Sequence, residues 1–191
     1  SAAWLLAMAG LGGMAAARAA DQPPRPADIQ EAVQKARDYL LGEQRADGSW
    51  EAMRSADKRA GATALVMLAL ANAGVAADHP VMRRGLEFVR RQETEETYAV
   101  ALQTMVLAML APEADRAILE RNVEWLEQAQ IRQGPGSGSW TYGQNNGAGM
   151  GDNSNSQFAV LALHEASRAG VRVRDETWVR AQQYWVACHN T

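Results

Sequence analysis

Cysteine is nearly absent from this chain. Its 191 residues include one, Cys188, so no disulfide forms within the chain and stability has to come from a packed core. Cys188 adjoins His189 instead of standing at ligand spacing, and no Cys/His cluster has zinc-finger spacing. No metal and no cofactor are therefore expected, and Cys188 reads as a small buried hydrophobe near a helix end. A large excess of charge of one sign is missing too. A formal net charge of −3 with no clustered basic field gives no support for nucleic-acid binding. Alternating apolar and polar runs bounded by turns are missing, which leaves no place for strands.

What is present begins with an apolar leader. Trp4-Leu5-Leu6-Ala7-Met8-Ala9 precedes Gly- and Ala-rich sequence, and Ala17-Arg18-Ala19 fits a small-x-small cleavage site. The run is too short and too glycine-rich for a good transmembrane helix. Residues 1–20 thus read as a signal-peptide-like segment and predict export, periplasmic or secreted, with an uncleaved membrane anchor or a chance Ala-rich leader as the alternatives. The initiator Met and basic start are missing, so the sequence reads as starting within the leader or as a fragment. Residues 21–27 are a proline-rich linker. Residues 28–191 are one domain, long enough for a sizeable core and truncated in its fourth repeat.

Two kinds of helix alternate in that domain. The first kind is amphipathic: Ile29, Ala32, Val33, Ala36 and Leu40 share one stripe, with Asp28 at the N-terminus. Pro80 to Gln92, Glu113 to Gln130 and Asp175 to Cys188 repeat it. The second kind is apolar on nearly every side: Lys58 to Ala73, Tyr98 to Leu110 and Asn155 to Arg168. Such helices are buried all round or line an enclosed cavity. Leu68-Ala69-Leu70 aligns with Leu107-Ala108-Met109 and with Leu161-Ala162-Leu163, which puts Ala64, Gln103 and Gln157 in register. Helix hairpins repeating at this period stack in layers. The fold class is all-α, with an outer amphipathic layer and an inner apolar one.

The joints between repeats carry a recurrent motif. Lys35-Ala36, Tyr39-Leu40, Gln44 and Gly48-Ser49-Trp50 resemble the QW motif of the prenyltransferase and squalene-oxidase repeats, in the terpenoid-cyclase and protein-prenyltransferase superfamily. A second copy keeps Phe88-Val89 and Gln92 but has Thr94-Glu95-Glu96-Thr97-Tyr98 in place of Gly-x-Trp. A third has Trp125-Leu126, Gln130 and Gly138-Ser139-Trp140. A fourth reaches Trp185-Val186, with Asn190 where its glutamine would fall. The resemblance implies an α/α toroid around a central cavity, incomplete in this chain, so that further repeats or a partner chain would close it. It also implies that Gln44, Trp50, Gln92, Gln130 and Trp140 are structural. The glutamine carbonyl would satisfy free N–H groups at a neighbouring helix start, and the indole would pack over the joint.

The superfamily's catalytic signatures are not found. There is no Asp-x-Asp-Asp acid, and Asp175, Cys188 and His189 do not reproduce the zinc-ligand motifs of the prenyltransferases. The thioester element of related toroids is missing as well, and Gly134 to Gly138 has glycine where a serine nucleophile would sit. The expected function is an exported, non-catalytic binding or assembly scaffold with an apolar cavity lined by Leu65, Met67, Met105 and Phe158. The alternative is a piece of a terpene-cyclase-like or prenyl-transferring enzyme with its catalytic residues elsewhere; a carbohydrate-active barrel is a third. Candidate ligand contacts are Trp140, Tyr142, Asp152, Asn153 and Gln157 in and after the loop from Ile131 to Asp152, which also holds Gln144, Asn145 and Asn146. Aromatic faces and amides there would suit a glycan or peptide; the plainer alternative is that Trp140 closes its repeat and an asparagine caps the next helix. His164 is a further candidate ligand contact; among Ala and Leu neighbours it is expected to be buried, as a satisfied core histidine or, in the alternative, a general base. An apolar cavity would instead favour a lipid or isoprenoid.

Overall fold

The computed structural model describes residues 23–50, 56–144 and 149–189. The leader, Asn145, Asn146 and Asn190 lie outside them. Among the described residues there are seven helices and no named strand, only an isolated bridge between Trp140 and Asp152. The helices are α1 (Pro26–Gly42), α2 (Ala56–Asn72), α3 (Pro80–Arg90), α4 (Thr97–Leu110), α5 (Arg116–Ala129), α6 (Asn153–Arg168) and α7 (Asp175–His189). The all-α alternation agrees with the expected α/α toroid. No described helix is long and apolar enough to cross a membrane.

The chain divides into two units, 1–36 and 37–191. In the first, α1 starts at Pro26, a residue suited to an opening turn. Asp28 accepts from the Arg25 backbone N–H and guanidinium. The apolar stripe expected to face inward does not: Ile29 and Val33 are exposed.

The second unit holds the core. Helices α2, α4 and α6 form the inner layer, with α4 between the other two. The outer helix α3 packs on α2, and α5 packs on both α4 and α6. This placement explains the composition of α4. Neighbours on several sides bury Ala99, Val100, Ala101, Leu102, Gln103, Thr104, Val106 and Leu107, so a polar face would have cost desolvation. Helix α3 has water on one side and accordingly shows an inward stripe of Val81, Met82, Gly85, Leu86 and Val89. His79 starts it by accepting from Val81 N–H, with Pro80 in the first turn. Cys188, expected to be buried, is exposed.

Candidate functional site

Two regions compete for a functional role: the joints between repeats and the open face of the inner helices. The joints come first, because they absorb several residues proposed as ligand contacts.

In the first joint, Gln44 Nε2 donates to Gly48 O at 3.1 Å and to Val81 O at 2.8 Å, reaching the start of α3. Trp50 Nε1 donates to Leu40 O at 2.6 Å, and Trp50 N–H to Thr63 Oγ1. The third joint repeats every contact. Gln130 Nε2 donates to Gly138 O at 3.1 Å and Thr177 O at 3.0 Å, Trp140 Nε1 to Leu126 O at 2.7 Å, and Trp140 N–H to Ser156 Oγ at 2.9 Å. The glycines are equivalent as well. Gly48 has φ +92° and Gly138 φ +94°; a Cβ on Gly48 would come 2.5 Å from Arg84 O, and one on Gly138 would collide with Arg180 O. Only glycine combines that conformation with so close an approach.

Three expectations change here. The glutamine amide works as a donor to carbonyls, because the groups it meets are Val81 O and Thr177 O and not free N–H groups. The fourth copy shifts in register by two residues: Tyr184, not Val186, matches Phe88, since their Cβ atoms lie against equivalent glycines. Counting four residues on, Cys188 stands where Gln92 and Gln130 stand. Finally, Trp140 is fully buried, so its indole closes the repeat and presents no face to a ligand.

Asp152 is occupied too. It caps α6, accepting from Asn155 N–H at 2.7 Å, Asn155 Nδ2 at 3.0 Å and the Ser154 hydroxyl. The Ser154 hydroxyl and the Asn155 N–H favour the ionised carboxylate and hold its pKa below the ordinary value. Asn153 Oδ1 accepts from Tyr184 OH at 2.5 Å, linking the start of α6 to α7. Asn155 is buried.

The second joint is built differently. Gln92 Nε2 turns back to Phe88 O at 3.0 Å. Gln103, from the inner helix α4, donates to Val89 O at 2.8 Å and Gln92 O at 3.0 Å and accepts from Asn122 Nδ2 at 2.9 Å. Arg90 pairs with Asp115 through two bonds of 2.7 and 2.9 Å, tying α3 to the start of α5.

The open face of the inner layer remains. Leu65 on α2, Met109 on α4 and Leu161 on α6 are 52%, 47% and 40% exposed. Half-buried Tyr98, Met105 and Phe158 lie with them. Tyr98 stacks obliquely on Phe158 with ring centroids 4.9 Å apart, and exposed Tyr142 lies 6.5 Å from Tyr98. Gln157 and His164 are exposed on α6; His164 was expected to be buried, but at its position α6 has no covering neighbour. Met67, expected in the cavity, is fully buried instead, its sulfur close to Gly85 of α3. The structure thus brings Tyr142 and Gln157 toward this face and leaves Trp140, Asp152 and Met67 out of it. Tyr98 was missed as a site residue. The signal was its spacing, since Tyr98, Leu102, Met105 and Met109 follow one helical stripe.

Two hollows indent the face. One of about 330 Å³ lies near the start of α2 and α4, lined by Gly61, Ala62, Leu65, Tyr98, Ala99 and Leu102, with Lys58 and Glu96 at its edge. Another of about 550 Å³ lies at the opposite ends of those helices. Both are in or near the size range of small-molecule sites. Among the described residues no group of three or more His, Cys, Asp or Glu side chains is placed to hold a metal ion.

Residues 26–112, which span α1 to α4, match the family model of the squalene-hopene cyclase N-terminal domain. The match agrees with the repeat family of the terpenoid-cyclase and prenyltransferase superfamily that the joint motif resembles. No curated protein and no solved structure matches the chain.

Proposed function

Starting from the squalene-hopene cyclase match, we propose that this chain is an exported, non-catalytic binding or assembly scaffold whose inner helices form an apolar wall for an isoprenoid or acyl chain. The exposed stripe of Leu65, Met109 and Leu161 carries the reading. Three large aliphatic or thioether side chains stand in water on three adjacent helices, and contiguous patches of this kind mark interaction sites. The aromatic group Tyr98, Phe158 and Tyr142 at one end gives a flexible chain flat faces to pack on. The composition of residues 1–20 supports export. A partner chain or further repeats would convert the wall into an enclosed cavity.

A second reading has its own support. The family match at residues 26–112 favours a piece of a terpene-cyclase-like enzyme whose acid lies in another part of the protein. A glycan or peptide at the Tyr142 mouth is the remaining option. Lipid extraction and mass spectrometry of the purified protein separates them. A bound isoprenoid or acyl chain is expected, and the double variant Leu65→Asp/Leu161→Asp should lose it. Wild-type protein that carries no such chain and binds no apolar probe would refute the wall. Conversion of added squalene to a cyclic product would refute the scaffold.

A further inference from the structure

The larger hollow has a chemistry that the apolar wall alone does not need. Its floor is Leu68, Met105, Ala108, Met109 and Pro112, and its rim carries Asn72, Glu165 and Arg168. We propose that it binds a fatty acid, with the carboxylate on Arg168 and the chain running along Met105 and Met109; this rests on the acyl-chain reading above.

The floor suits an alkyl chain. Methionine side chains are unbranched and adapt their shape to flexible apolar ligands. From Met109 back to Tyr98 the stripe runs about 16 Å at 1.5 Å per residue, room for a long chain extending toward the smaller hollow.

The rim suits one negative charge. Among the described residues the Arg168 guanidinium is held by Glu165 alone, at 3.5 Å to each carboxylate oxygen. Arg168 is 69% exposed and Glu165 32%. A surface pair at that distance contributes little, so exchanging Glu165 for a ligand carboxylate costs little. The guanidinium fork matches a carboxylate in a two-bond geometry. Its place in the last turn of α6 sets a cation at the negative end of the helix dipole, which keeps it at the rim. A diphosphate fits poorly, since among the described residues Arg168 is the one cation lining this hollow and Glu165 stands beside it.

Equilibrium binding of palmitate and hexadecanol, read by displacement of an apolar fluorophore, tests this. Wild-type protein should prefer the acid by about tenfold, the worth of a charge-assisted bond. Arg168→Gln should abolish the preference while leaving alcohol binding unchanged, and Glu165→Gln should strengthen palmitate binding. Both side chains lie at the surface, and matched thermal melts show that the variants fold. Equal affinity for acid and alcohol, or a preference that survives Arg168→Gln, overturns the carboxylate site and leaves the apolar wall standing. Failure of both ligands to bind overturns both.

Discussion

The first and third joints close with a glutamine and a tryptophan; the second closes with an ion pair and a glutamine borrowed from an inner helix. All three solve one problem. An outer helix ends, the chain turns inward, and the last carbonyls of that helix and those of the turn need donors; the first and third joints also tie in a first-turn carbonyl of the next outer helix. Gln44 and Gln130 supply two N–H bonds each, and Trp50 and Trp140 supply one each while filling the gap. At the second joint the loop is too short to carry Gly-Ser-Trp. Gln92 covers the carbonyl of Phe88, equivalent to Leu40 and Leu126, and Gln103 covers Val89 O from the other side. The third joint also lies beyond the matched residues 26–112 yet repeats the bonds that the glutamine Nε2 and the tryptophan make in the first. Repetition of the joint is therefore a property of the architecture, while its chemistry is open to substitution.

Trp140→Ala is the largest expected break. The indole is fully buried, and its loss should cost about 3–5 kcal/mol, seen as a lower midpoint in urea unfolding. Trp50→Ala should cost less, because that indole is only half-buried although it touches Gly85 and bonds Leu40 O. Equal costs would mean that burial is not what the tryptophan contributes.

The joints also show how far a sequence can be read. Helix positions and types were legible because the outer layer meets water on one side and the inner layer does not, which writes different periodicities into Val81–Val89 and Val100–Leu107. The tryptophan joints were legible because Gly-Ser-Trp recurs. Three things were not. Gln103 looked like one more polar residue in an apolar helix, since its partners Val89, Gln92 and Asn122 are distant in sequence. Whether Leu65 or Met67 faces the open side is a matter of two residues on a helix apolar all round, where periodicity has no contrast. Asp152 sat beside aromatics and asparagines like a ligand group, but capping α6 requires only a local acceptor and a backbone N–H, which looks the same in sequence.

Arg90→Met sharpens the contrast at the second joint. Asp115 is 3% exposed on its side chain and Arg90 34%. Removing the guanidinium leaves a buried carboxylate without its bidentate partner, which should cost about 1–3 kcal/mol. Part of the wild-type pair's contribution reaches solvent and should weaken with added salt. Urea unfolding at low and high sodium chloride should therefore show a smaller Arg90→Met penalty in high salt and an unchanged Trp140→Ala penalty. Penalties that respond alike to salt would erase the distinction between the joints.

The smallest effect separates the two acids of the tryptophan joints. Asp47 accepts from Ser49 Oγ at 2.7 Å and Ser49 N–H at 3.0 Å, and its pKa is lowered by those bonds, the hydroxyl first. Asp152 is lowered in the same direction by Ser154 and Asn155, but it also caps a helix. A carboxylate whose folded pKa is depressed contributes stability above its ordinary unfolded value, about 3.9, and that contribution disappears as pH falls through the depressed value. Asp152→Asn keeps an acceptor at the cap and loses the charge favoured at a helix N-terminus. Its penalty should be at most about 1 kcal/mol near neutral pH and should fade as pH falls below the ordinary aspartate value, about 3.9, and through the depressed one. Asp47→Asn should follow the same pH course with a smaller amplitude, since Asp47 closes a turn and touches no helix end. Thermal melts across that pH range decide the matter: a penalty for Asp152→Asn that persists in acid would mean the side chain acts there through its shape and not its charge.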